Sequence, residues 1–124
     1  LTLTFTTEVA PSVNHAYFTA RNGMRILKKE AKKWMERTRE KARTAVKEQG
    51  WQITDKEKLV CEIVTYWKDR RRRDVHNGAK VLFDALEGIV YVDDKTVLPR
   101  YIDYCIDKEN PRLELRFYRK DDVL

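Results

Sequence analysis

Residues 68–95, KDRRRRDVHNGAKVLFDALEGIVYVDDK, decide how this chain is read, because four arginines, an apolar helical stripe and a pair of acids follow one another there. A helix over 75–86 would place Val75, Ala79, Leu82, Phe83 and Leu86 on one apolar stripe. His76, Asn77, Lys80 and Asp84 would share the opposite face. One face packs, and the other is open to chemistry.

Upstream of this stretch, residues 57–67, EKLVCEIVTYW, are rich in β-branched and aromatic side chains and predict a strand central to a sheet. Within it, GIVYV at 88–92 reads as a short strand ahead of the acids. Downstream, residues 96–106, TVLPRYIDYCI, predict another strand, with Pro99 marking an edge or a bulge. Asn110 and Pro111 then mark a turn, and residues 112–119, RLELRFYR, with Leu113, Leu115 and Phe117 on one face, predict a last strand in a hairpin with it.

At the other end, residues 1–9 alternate Leu1, Leu3 and Phe5 with threonines, the period of a strand with one buried face. The strand stops at Pro11, and the Asn22-Gly23 pair predicts a tight turn between 17–20 and 24–27. From Leu27 onward, Ala31, Trp34, Met35, Thr38, Ala42, Ala45 and Val46 recur at helical spacing until Gly50 supplies a stop. That long helix is strongly basic, and reads either as a solvated face laced with ion pairs or as a surface for phosphates. The order of elements predicts an α+β fold, a small mixed β-sheet covered by two helices, in one domain over 1–124.

With 26 Lys and Arg against 20 Asp and Glu, the chain carries a net charge of +6 and a pI near 9.4, which favours a polyanionic partner, nucleic acid ahead of an acidic membrane. No apolar run approaches the roughly 20 residues needed to span a bilayer, and the N-terminus lacks the apolar core of a signal peptide, so a soluble, cytoplasmic protein without a membrane partner is expected. Cys61 and Cys105 have no metal-ligand spacing and are expected to be buried free thiols. One small domain has room for one active site, so a reaction needing two cuts needs a dimer.

Asp74, where a strand hands over to a helix, suits either a helix cap or a metal-binding carboxylate. Asp93 and Asp94 are either solvated loop acids or metal ligands folded back beside the second helix. Carboxylates that gather Mg²⁺ activate water in phosphodiester cleavage, while Arg70, Arg71, Arg72 and Arg73 would hold the backbone. Lys80 could steady charge developing on phosphate, or simply pair with Asp84.

In DRRRRD at 69–74, Asn77, Lys80, FDAL at 83–86 and YVDD at 91–94, in that order, the chain resembles the RusA family of Holliday-junction resolvases, found in phages and prophages. PSVN at 11–14 resembles that family's N-terminal loop, which adds Asn14 to the expected DNA contacts beside Asn77. The resemblance implies a homodimeric, Mg²⁺-dependent endodeoxyribonuclease that makes paired nicks in four-way DNA junctions during recombination and repair, with no organic cofactor. Carried over, the catalytic residues are Asp74, Asp94 and Lys80. One departure stands out: an Asp-x-Asp-Asn motif appears here as Asp74-Val75-His76-Asn77.

Imidazole suits Mn²⁺ better than Mg²⁺. His76 is therefore open to three readings: a Mn²⁺ ligand, a general base, or the mark of a silent site. His15, on a predicted loop, reads as a turn residue. The competing readings are a catalytically silent junction-binding module and a basic RNA-binding domain.

Overall fold

The computed structural model describes residues 1–71 and 73–122, apart from the side chains of Asn14 and Asp122. Four strands form one mixed sheet in the order β1 (Thr2–Thr7), β6 (Arg112–Arg119), β4 (Leu59–Trp67), β5 (Val97–Ile106). β6 runs antiparallel to both of its neighbours, and β4 and β5 are parallel. A one-turn helix α1 (Val13–Ala16) leads into a small separate hairpin of β2 (Tyr17–Thr19) and β3 (Arg25–Leu27).

Helix α2 (Lys29–Gln49) buries Ala31, Trp34, Thr38, Ala42 and Ala45 and ends at Gly50, whose N–H reaches the Val46 carbonyl. Its docking is also polar: Gln49 bonds the Thr4 backbone from both ends of its amide, and the Trp34 indole donates to the Glu8 carbonyl. Helix α3 (Ala79–Leu86) buries Val81, Leu82, Phe83, Ala85 and Leu86. Together α2 and α3 cover the sheet face that presents Leu3, Ile63, Leu113, Leu115 and Phe117. The predicted α+β class, with a small mixed sheet covered by two helices, holds.

Several expectations are corrected. The terminal hairpin does not form, because β4 lies between β5 and β6 and pairs with both. β4 carries the most buried strand side chains, Leu59, Val60, Cys61, Ile63 and Thr65, and a strand so apolar gains most from neighbours on both edges. Pro99 accordingly sits on the sheet's edge strand, which also carries a bulge at Ile102, opposite the step from Ile63 to Val64 of β4.

The helix expected over 75–86 begins only at Ala79. Asp74 diverts the preceding backbone: its carboxylate accepts from the His76 N–H at 2.9 Å and its carbonyl from the Asn77 N–H at 3.2 Å. The segment 88–92 is a turn with isolated bridges at Tyr91 rather than a strand. Residues 13–16, read as turn, form α1, capped by Ser12. Cys61 is buried as expected, whereas Cys105 is only half-buried near the edge, and both are free.

Candidate functional site

The sequence-predicted site residues fall mainly on the two loops that flank α3. The loop after it is anchored from within. Gly88, at φ 83°, reverses the chain in a conformation that side chains disfavour, and its N–H bonds the Tyr91 carbonyl at 2.8 Å. Ile89, Val90 and Tyr91 are buried, and the Tyr91 hydroxyl donates to the Phe83 carbonyl at 2.6 Å. From outside the loop, the Trp51 indole donates to the Val90 carbonyl at 3.0 Å and Arg39 of α2 donates to the Ala85 carbonyl at 2.7 Å.

That reversal returns Asp93 and Asp94 to the end of α3. The Asp94 N–H donates to Glu87 Oε1 at 3.0 Å, and Glu87, Asp93 and Asp94 each offer a carboxylate oxygen within 4.8 Å of the others. Partial burial, then repulsion from Glu87, Asp84 and Asp93, holds the Asp94 carboxyl above its ordinary pKa. Three half-buried oxygen donors are the set that Mg²⁺ or Mn²⁺ prefers, and a divalent cation would relieve their repulsion.

Lys80 is linked to this cluster through Asp84. Its Nζ lies 3.2 Å from Asp84 Oδ2, which also accepts from the Tyr17 hydroxyl at 2.8 Å. The same Nζ lies 5.8 Å from the Tyr17 ring centroid. Burial, with the Asp84 carboxylate next, pushes the Tyr17 pKa up to about 12, so this phenol stays a donor. Asp84 thus ties the lysine to the hairpin while its charge also reaches Asp94.

The loop before α3 is organised by its own charges. Arg73 bonds Asp69 at 2.6 Å and lies over the Trp67 ring at 5.0 Å. The Arg71 N–H and then the Arg73 guanidinium hold the Asp69 carboxyl below its usual range. Arg70 and Arg71 are exposed, and Arg72 lies outside the described residues. Asp74 and Asn77 are exposed. The His76 ring stacks on Tyr101, with centroids 4.3 Å apart and planes at 8°.

Asp94 and Asp93 are therefore brought together, with the Asp84 charge reaching Asp94 and Lys80 paired to Asp84, while Asp74 and His76 are not members of that carboxylate cluster. His76 and Asn77 precede the helix, so they do not share a helical face with Lys80. Asn14 falls in α1, its side chain outside the description. His15 is exposed, with Nδ1 2.8 Å from the Ser12 hydroxyl.

Glu87 is the residue that sequence reasoning missed. Its signal was the Gly88 that follows it, which folds the next six residues back on the helix end. Tyr17 had no local signal at all, since 67 residues separate it from Asp84.

On α2, Lys29, Lys32, Lys41 and Lys47 are exposed, while Lys33, Arg37 and Arg43 pair with Glu30, Glu8 and Glu40. The ion pairs of that helix's first reading are present, and exposed lysines lie among them. No helix among the described residues is long and apolar enough to cross a membrane. Compared with known proteins, residues 7–118 match the family model described as endodeoxyribonuclease RusA, and no curated protein matches the chain.

Proposed function

Since this chain belongs to the endodeoxyribonuclease RusA family, we propose that it is a Holliday-junction resolvase, a structure-selective, metal-dependent endodeoxyribonuclease that makes paired symmetric nicks in four-way DNA. Within the family frame, the observation that carries the reading is the cluster of Glu87, Asp93 and Asp94, to which Asp84 links Lys80.

A bound Mg²⁺ or Mn²⁺ would supply Lewis acidity to the phosphate and make a bound water more acidic than bulk water. Glu87, Asp93 and Asp94 would hold the cation, and Asp74, which lies outside that cluster on the loop before α3, is proposed as a further catalytic acid. Lys80 offers its ammonium to charge developing on the phosphate. Arg70, Arg71, Arg72 and Arg73, with Asn77 and Asn14, hold the sugar-phosphate backbone, which fixes position rather than reading sequence. A junction presents two equivalent strands, and a two-fold dimer presents two identical sites, so a homodimer completes the proposal.

The stacking of His76 on Tyr101, apart from the acids, favours one second reading: a silent junction- or RNA-binding module. A synthetic four-way junction incubated with Mg²⁺ or Mn²⁺ separates the two. The nuclease reading expects symmetric nicks that Asp94→Asn and Asp74→Asn abolish while binding persists. An intact junction with both metals overturns it, and tight binding without nicks supports the silent module, all the more if His76→Asp restores cutting. Competition by structured RNA distinguishes the RNA form of that module.

A further inference from the structure

Between the inner face of the sheet, the 9–15 segment and the start of α3 opens a cleft of about 450 Å³. That is within the roughly 300–1,000 Å³ range of sites that enclose a small organic group. Its floor is apolar, made by Ile63 of β4 and Leu113 of β6, both buried. Two aromatic side chains, Trp67 and Tyr101, stand among its walls. Tyr101 is backed by His76, and Trp67 by the Arg73 guanidinium, which Asp69 holds in turn.

The rim has the opposite character. Lys68, Arg71 and Arg73 line it against the single acid Asp74. Arg73 is already engaged, but the Arg71 guanidinium makes no hydrogen bond or ion pair among the described residues. Inside, Thr65 lines the cleft and is 2% exposed, a hydroxyl-bearing side chain beside the apolar floor. The cleft combines an apolar floor, aromatic walls, one threonine side chain and a cationic lip.

Resting on the nucleic-acid reading above, we infer that this cleft receives a nucleobase swung out of the stack beside the branch point, with its phosphate on Arg71 and Lys68. The chemistry is complementary at each end. A base offers flat apolar faces to the walls and a hydrogen-bonding edge to Thr65, and its phosphate carries the charge that the lip lacks. The sheet and α3 enclose the cleft on two sides, so duplex does not enter but a single unpaired nucleotide does. Unstacking costs least where pairing is already weak, which makes the branch point the natural donor. The site would add recognition of branched structure to a loop whose arginines otherwise hold only phosphate.

The test is a gel-shift titration in EDTA of three junctions equal in charge. One is fully paired, one carries a mismatched thymine beside the crossover, and one carries an abasic residue at that position. The mismatched junction should bind several-fold tighter than the paired one, and the abasic junction about ten-fold weaker than the mismatched one. Ala79→Leu, which fills the mouth of the cleft, and Trp67→Leu, which removes a wall, should each make the three junctions bind alike. If one variant fails to fold by circular dichroism, the other decides.

Equal affinities of the wild-type protein for all three junctions overturn the inference, as does a preference that survives in a folded variant. Wild-type protein that binds none of the junctions overturns it too. Cleavage with Mg²⁺ is scored separately. A protein that cuts without discriminating sinks the cleft and keeps the nuclease, and one that discriminates without cutting does the reverse.

Discussion

Residues 87–96 bury Ile89, Val90 and Tyr91 and suspend their acids from that anchor, whereas residues 68–78 bury no side chain among those described and hold their charges by one another. Both loops leave the same short helix. The difference matches what the proposed function asks of each. Carboxylates that share a cation must keep a fixed spacing, which a packed frame supplies. Phosphates are met largely by charge, which tolerates adjustment.

The comparison is broken or sharpened by substitutions on the two sides. The largest effect is expected at the anchored acids. Asp94→Asn should lower junction cleavage by at least about 10²–10³-fold, the scale of losing one electrostatic element of an active site, with binding retained. The same substitution should abolish any rise in melting temperature produced by Mg²⁺, since a cation stabilises only the state that binds it. A Mg²⁺-dependent rise that persists in the variant would place the metal elsewhere.

Next comes the frame. Tyr91 is fully buried, so Tyr91→Ala should cost about 3–5 kcal/mol in urea unfolding, and Tyr91→Phe, which leaves the Phe83 carbonyl unpaired, about 1–3 kcal/mol. Val75→Ala in the other loop should fall within about 0.5 kcal/mol of wild type. Comparable losses at both positions would mean that the loops are not built differently after all.

Asp84→Asn takes away the carboxylate that fixes Lys80 Nζ. Cleavage should drop about ten-fold, with no additional drop when Lys80→Ala is already present, because a residue acting through Lys80 has nothing left to position. Additive losses in that double-mutant cycle would separate the two residues.

On the arginine side, Arg71→Ala should weaken binding to junctions of any sequence and reduce the slope of log affinity against log salt by about 1. Asp94→Asn should leave that slope as it is. The smallest effect is one of pH. The Asp94 carboxyl is raised, so the folded state keeps its proton more tightly than the unfolded chain does. Its favourable contribution is full at acid pH and is lost as pH climbs from the ordinary carboxylate value through the raised one. Without metal, wild type should therefore lose stability relative to Asp94→Asn across that window.

Much of this was legible in the sequence where a single period governs. The alternation of Leu3, Leu113, Leu115 and Phe117 and the spacing of Ala31, Trp34, Thr38 and Ala42 each report one face of one element, and each is buried as read. The Asn22-Gly23 turn and the Gly50 stop were equally local. Legibility failed where two segments compete. Residues 112–119 read as the partner of the strand just before them, but the more apolar β4 took both. The apolar stripe of α3 extended in sequence to Val75, but Asp74 and the Asn77 carbonyl, which accepts from the Val13 N–H at 2.8 Å, drew the first turn away. Gly78 sits so close to Ala10 that an added Cβ would lie 2.8 Å from its Cβ, so that turn is fixed by a segment nearly 70 residues earlier.

Residues 68–95 by themselves determined the chemical inventory: a cationic loop, a helix with one packed face, a lysine, and two acids in order. Local propensity and side-chain chemistry are written in the sequence, and family membership follows from their order. Only the tertiary structure decided which charges meet. The reversal at Gly88 adds Glu87 to Asp93 and Asp94, the β2–β3 hairpin brings Tyr17 to Asp84, and the sheet edge brings Tyr101 to His76. Those contacts join residues that the chain keeps apart, and distance between side chains, not their order, sets electrostatic coupling and ligand geometry.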